Sequence, residues 1–385
     1  VRRSDVTTAT PATVAIVTES TIGRPRTVVA NLPSYRPGKG ATQAEAEHGI
    51  TGAIKLASNE NPMAPLDPII AAITEAAAGV NRYGDHRATS VREALANRLG
   101  VSSDQVTVGN GSSGILQQLY LSYVDPGDEV VFPWRSFEVY PVFARLMNGV
   151  SLQVPLAADL GFDIDALVAA VSDRTKLIIL ATPNNPTGTA STTTELRSLL
   201  NQVPEHVVVC VDEAYREFLD PGFGDPVTEL LPDFANLIVT RTFSKAHGLA
   251  GLRVGYGIGH PELIATVDKT LLPFAVNALA QAAALAALDH EPAIGERVQA
   301  ILAERARVEV ELAAAGWRFP NHQGNFVWLA LGERTDAVAL ELERRGVVVR
   351  PFSGDGIRIT IGAAEENDRF LAALAEAVGV AGSGS

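Results

Sequence analysis

From about residue 66 to 275, seven short apolar runs alternate with helical patterns, and this alternation limits the chain to few folds. The runs are Gln105–Val108, Glu129–Pro133, Ser151–Val154, Lys176–Leu180, Val207–Val211, Asn236–Thr240 and Leu252–Gly257. Most are nearly continuous hydrophobics, the pattern of strands buried on both faces of a sheet. Helical patterns separate several of them. In Thr192–Leu200 a threonine can cap the helix and Glu195 follows three residues later. The pattern predicts an α/β domain over 66–275 with a mostly parallel, seven-stranded sheet.

After residue 276 the pattern changes to long alanine-rich helices through about 315. Strand patterns follow at Phe326–Ala330, Val347–Phe352 and Gly356–Ile361, with a helix from Glu365 to Val378. This predicts a smaller α+β domain over 276–380, joined by residues 25–65, which are too few to fold alone. Residues 1–24 read as a loose arm rather than a signal peptide, because they hold no continuous apolar core. Ala381–Ser385 reads as a flexible tail. Hydrophobic residues make up 46% and charged residues 19%, which fits a soluble globular chain. The net charge of −13 argues against nucleic-acid and anionic-membrane partners. No apolar stretch approaches the roughly 20 residues that span a bilayer. The single cysteine, Cys210, sits inside a strand pattern, and the seven histidines form no metal-ligand spacing. The cytoplasm is the expected location.

Four strand ends carry chemistry. Gly109-Asn-Gly-Ser-Ser-Gly114 fits a dinucleotide fingerprint between strand and helix. That fingerprint also needs an acid at the end of the following strand. Here Asp128 and Glu129 precede the strand, and Pro133 and Trp134 end it. A looser reading keeps Gly111, Ser112 and Ser113 as backbone donors to a phosphate at a helix start; a plain turn stays open. Ala181-Thr-Pro-Asn-Asn-Pro-Thr-Gly188 is either an ordinary turn or a rigidly held amide at the ligand-binding edge of the sheet. Asp212, closing the most apolar run, is either a helix cap or a carboxylate that keeps a partner nitrogen protonated. Lys245 follows Ser244 at another strand end. Gly248, Gly251 and Gly255 allow a tight return of Arg253 to the same place. A lysine in apolar surroundings has a lowered pKa and attacks carbonyls. A ligand with a phosphate, a pyridine nitrogen, a phenolic oxygen and an aldehyde uses all four features, and that ligand is pyridoxal 5'-phosphate.

On these residues the chain resembles a fold-type I aminotransferase, in the histidinol-phosphate aminotransferase branch of class II. The matching motifs are Ala57–Pro62, Pro183–Gly188, Asp212–Tyr215, Arg241–Ala246 with Gly251–Gly255, Asn325-Phe326 and Arg358–Gly362. The resemblance runs from about residue 31 to 378. It implies that Lys245 bonds to the cofactor aldehyde and then moves a proton at the substrate Cα. Asp212 is implied to pair with the pyridine nitrogen, and Asn185 and Tyr215 to bond the phenolic oxygen. Ser244 and Arg253, with Ser112 and Ser113, are implied to hold the phosphate, and Phe137 to stack on the ring. Arg358 is implied to grip the substrate α-carboxylate, with Asn61 and Asn185 also at the substrate. A homodimer with the site at the subunit interface is the family's arrangement.

Two departures bear on the substrate. Met63 stands where the family often has an aromatic reaching the partner's phosphate. Trp134-Arg-Ser-Phe-Glu138 and Ala330–Thr335 resemble the aromatic amino acid (phenylalanine) aminotransferases of the branch. The resemblance places Tyr35 and Arg350 near the distal end of the substrate, where neither excludes a phosphate. Trp134, Phe137 and Met63 suit an apolar slot for a ring. The expected reaction is transamination of phenylalanine, tyrosine or tryptophan with 2-oxoglutarate, with histidinol phosphate as the alternative donor. A nicotinamide dehydrogenase and a non-catalytic cofactor-binding domain are the competing classes. His247 has no functional account and reads as structural.

Overall fold

The computed structural model describes residues 23–32 and 38–381. Tyr35 lies outside them, as do nearly all of the residues expected to form the loose arm and the tail.

The strands in chain order are Ile54–Lys55 (β1), Val106–Gly109 (β2), Glu129–Trp134 (β3), Val150–Pro155 (β4), Thr175–Ala181 (β5), Val208–Asp212 (β6), Leu237–Thr242 (β7), Gly255–Gly259 (β8), Phe326–Ala330 (β9), Val347–Val348 (β10), Arg350–Phe352 (β11) and Gly356–Thr360 (β12). Seven of them form one sheet in the order β2-β8-β7-β6-β5-β3-β4. Only β8 runs antiparallel to its neighbours. All residues of β6 and β7 are buried, as expected for apolar runs with helices on both faces. The predicted helix after Thr192 forms at Thr193–Leu200 with a reciprocal cap. Glu195 N–H donates to Thr192 Oγ1 at 3.2 Å, and Thr192 N–H donates to Glu195 Oε2 at 2.7 Å.

One strand departs from its predicted range. The run beginning at Leu252 enters the sheet only at Gly255, because residues 250–252 form a short 3-10 turn and Arg253 is left-handed, at φ 59°. At Gly255 a Cβ would lie 2.5 Å from the Ser112 nitrogen and 2.6 Å from the Gly111 carbonyl carbon, so only glycine lets β8 pass there. Gly251 has open space around it.

The sheet also removes the dehydrogenase reading. The strand before Gly109–Gly114 is an edge strand paired antiparallel to β8, and β3 lies near the far edge. A dinucleotide crevice needs parallel strands side by side at this point.

A second, antiparallel sheet has the order β11-β12-β9. Its register sets Arg350 opposite Arg358, and Arg358 opposite Trp328. The parallel pair β1–β10 ties the stretch before residue 66 to this C-terminal part. Among the described residues no helix is long and apolar enough to cross a membrane.

Candidate active site

The parallel strands β5, β6 and β7 end at one edge of the large sheet, where α/β proteins place ligands. Register aligns Ala181 with Asp212, and Asp212 with Thr240. A cavity of about 210 Å³ opens at this edge, between it and the smaller sheet. It is lined by Gly111, Ser112 and Ser113 from the helix start, and by Phe137, Asn185, Asp212 and Tyr215 from strand ends and loops. Ser244, Lys245 and Arg253 complete the large-sheet side, and Arg350 and Arg358 reach in from β11 and β12. Asn61 lies apart. Its amide donates to the Ala246 carbonyl at 2.9 Å, its oxygen accepts from Met63 N–H at 3.0 Å, and it faces a neighbouring cavity.

Asp212 is almost fully buried. Burial pushes its carboxyl up to about 6, although hydrogen bonds from Tyr140 and Thr240 pull it down. Tyr140 Oη donates to Oδ2 at 2.9 Å, and Thr240 Oγ1 donates to Oδ1 at 3.0 Å. A carboxylate so placed is stabilised by a cationic N–H donor in the cavity. Lys245 Nζ donates to the Ser58 carbonyl at 3.1 Å and lies 5.7 Å from the Tyr215 ring centre. Burial, and then the Arg358 charge, lower its pKa to about 7. Half of such amines are therefore neutral and nucleophilic near neutrality.

Of the two adjacent asparagines, Asn184 is committed to the loop. It accepts from Ser136 Oγ at 2.7 Å and donates to the Arg135 carbonyl at 3.0 Å and to Thr187 Oγ1 at 2.8 Å. Asn185 faces the cavity, where its oxygen accepts from Arg358. Arg358 also donates to the Ala57 carbonyl at 2.7 Å. Tyr215 Oη accepts from Asn59 Nδ2 at 2.9 Å. Asn59 is buried and left-handed, at φ 51°, and is fixed by Thr360 and Asn325.

The remaining corner suits a phosphate. Gly111, at φ 72°, opens the helix Gly111–Tyr123, and a Cβ there would stand 2.8 Å from Arg253 Nη2. A bare backbone, a helix N-terminus and a guanidinium thus converge on one point. Ser244 Oγ sits beside them and accepts from Thr242 Oγ1 at 2.9 Å. The buried carboxylate, the half-neutral amine and this cradle of bare backbone, hydroxyl and guanidinium together fit pyridoxal phosphate.

Tyr140, Thr240, Thr242 and Asn59 escaped the sequence reading as supports of these groups, although Asn59 and Thr242 lie inside quoted motifs and Thr240 closes a quoted strand run. Trp134 and Met63 do not line the cavity. Period-two alternation puts Trp134 on the same face as Phe132, with ring centres 6.1 Å apart, and Met63 packs on the main core. Phe137, Tyr215 and Phe352 supply the aromatic lining. His247 is buried 4.7 Å from the Phe243 ring, and burial drops its pKa to about 4. It is outside the cavity, as a structural residue would be.

Residues 51–374 match the family model for aminotransferase class I and II. The chain is 48% identical over 347 residues to an aromatic amino acid aminotransferase of Thermobifida fusca, covering 90% of this chain and 95% of that protein. It is 46% identical over 346 residues to an aromatic amino acid aminotransferase of Streptomyces coelicolor, with the same coverage. In structure it is similar to histidinol-phosphate aminotransferase from Sinorhizobium meliloti in complex with pyridoxal-5'-phosphate. That match has a TM-score of 0.86 at 29% identity and covers 94% of this chain and 99% of the other. The chain therefore belongs to the class I and II aminotransferases.

Proposed function

We propose that this protein is a pyridoxal-phosphate-dependent transaminase of aromatic L-amino acids, passing the amino group of phenylalanine, tyrosine or tryptophan to 2-oxoglutarate. The observation that carries the reading is the convergence of Lys245, Asp212, Asn185, Arg253 and Arg358 on one cavity. The aromatic class is supported by the relatives at 46–48% identity and by the rings of Phe137 and Phe352 in the lining.

When bound, pyridoxal phosphate supplies an aldehyde that carries the amino group and a ring that takes up electrons. Arg358 holds the substrate α-carboxylate as a two-pronged fork. Lys245, once neutral, moves the proton from the substrate Cα. Asp212 keeps a proton on the pyridine nitrogen, and its low-dielectric setting strengthens that pairing. Asn185 and Tyr215 donate to the phenolic oxygen. Ser244, Arg253 and the helix start fix the phosphate, so the reacting groups stay in register. Residues 66–275 form the cofactor-binding domain in this reading, with 25–65 and 276–380 as the smaller domain. The working form is a cytoplasmic homodimer. An exposed apolar patch supports the dimer: Tyr83, 83% exposed, stacks on Phe274 at 4.4 Å, with Leu272 70% exposed.

The second reading, a histidinol-phosphate aminotransferase, draws on Arg350 in the cavity and on the Sinorhizobium meliloti neighbour. Steady-state kcat/KM with 2-oxoglutarate separates the two. Phenylalanine is expected to exceed histidinol phosphate by at least about tenfold; the reverse order overturns the aromatic assignment.

Lys245 also sets a pH dependence for loading. Its pKa of about 7 means that the ligand-free protein loses a proton from this amine as pH rises through that value. Only the neutral amine attacks an aldehyde, so covalent capture of pyridoxal phosphate is expected to speed up through about pH 7. Arg358→Gln removes a charge that lowers this pKa, so its midpoint moves up. Stopped-flow absorbance reads both, and a flat profile across that range contradicts the assignment.

A further inference from the structure

Arg350 and Arg358 are direct partners in the β11–β12 ladder, so both side chains leave the same face of the small sheet. Both line the cavity, yet their surroundings differ. Arg358 donates to neutral acceptors, the Asn185 amide oxygen and the Ala57 carbonyl, and its charge is felt at Lys245. Arg350 Nη2 instead meets a carboxylate, Glu138 Oε2, at 2.6 Å. Glu138 comes from the large-sheet side, one residue after Phe137, and also lines the cavity.

The ring between these groups is Phe352. Arg350 and Arg135 each lie 5.7 Å from its centre, and Arg135 pairs with Asp355. Arg350 and Arg135 are thus each matched by a carboxylate, while Arg358, 5.9 Å from the same ring centre, is the guanidinium turned to Asn185 and Ala57. The Arg350 side of this wall offers a substrate side chain an aromatic face and a guanidinium already matched by a carboxylate.

We propose that Glu138 is a specificity-determining residue: by neutralising Arg350 it turns the distal end of the cavity against a phosphate-bearing donor and toward neutral rings. A donor phosphate reaching Arg350 must displace Glu138 or share the guanidinium with it at close range, and like charges in such a site repel. A neutral ring meets no such opposition and can pack on Phe352. The proposal rests on the transaminase reading of the cavity.

The test is Glu138→Gln in the holoenzyme, which keeps the shape and removes the charge. Donor half-reactions, run without an acceptor, give kcat/KM for phenylalanine and for histidinol phosphate. The ratio of histidinol phosphate to phenylalanine is expected to rise by at least about tenfold, mostly through KM. Adding Arg350→Gln to the same variant should cancel the gain, because the cation released by the first change is then gone. An unchanged ratio, or a parallel fall for both donors, overturns the proposal. A failure of the transaminase reading itself looks different: the unmodified protein would convert neither donor.

Discussion

Lys245→Ala is expected to lower phenylalanine transamination by at least about 10⁴-fold, since it removes both a nucleophile and a proton carrier. No other lysine lines the cavity among the described residues. The amine is buried and held by the Ser58 carbonyl at 3.1 Å, and its pKa of about 7 suits proton transfer at neutral pH. Deleting it leaves the phosphate cradle of Gly111, Ser112, Ser244 and Arg253 intact. The variant should therefore fold and still take up cofactor without a covalent link. Small primary amines added to the solution should restore part of the rate. Single-turnover formation of phenylpyruvate measures the loss, and activity within about a hundredfold of the unmodified protein contradicts the role given to Lys245.

Asp212→Asn is the second large effect, expected at about 10²–10³-fold in kcat with a smaller change in KM. The substitution keeps the shape but not the charge. Tyr140 and Thr240 both donate to the carboxylate, one to each oxygen. An amide oxygen accepts from one of them, and the hydroxyl facing the new NH2 must turn to accept instead, so what is lost is the charge. It then cannot hold a proton on a facing ring nitrogen. A kcat within about threefold of the unmodified protein contradicts the assignment.

Much of this was legible before any coordinates. The strands announced themselves because both faces of the large sheet are buried, which leaves apolar runs such as Lys176–Leu180 and Val207–Val211 almost unbroken. Asp212 stood out because a carboxylate closing such a run needs a partner, Lys245 because Gly248, Gly251 and Gly255 return Arg253 beside it, and Asn185 through the resemblance of its motif. What stayed hidden depends on contacts between distant parts of the chain. Tyr140 reaches Asp212 from 72 residues away, and Glu138 reaches Arg350 from 212. No local period encodes either contact. The start of β8 was misplaced because Leu252 and Val254 look like strand residues, while left-handed Arg253 between them turns its guanidinium to the helix start. Trp134 and Met63 were drawn toward the substrate by residue type and by their places in motifs of the resemblance, and both are taken up in packing instead.

The most direct measurement of the central claim is borohydride reduction followed by peptide mapping, with and without prior phenylalanine. The untreated holoenzyme should be yellow, lose that colour on reduction and carry the pyridoxyl phosphate mass on Lys245. Incubation with phenylalanine alone should first release one equivalent of phenylpyruvate per site and leave Lys245 unlabelled. A label on any other residue, or a Lys245 label that phenylalanine does not change, would contradict the account.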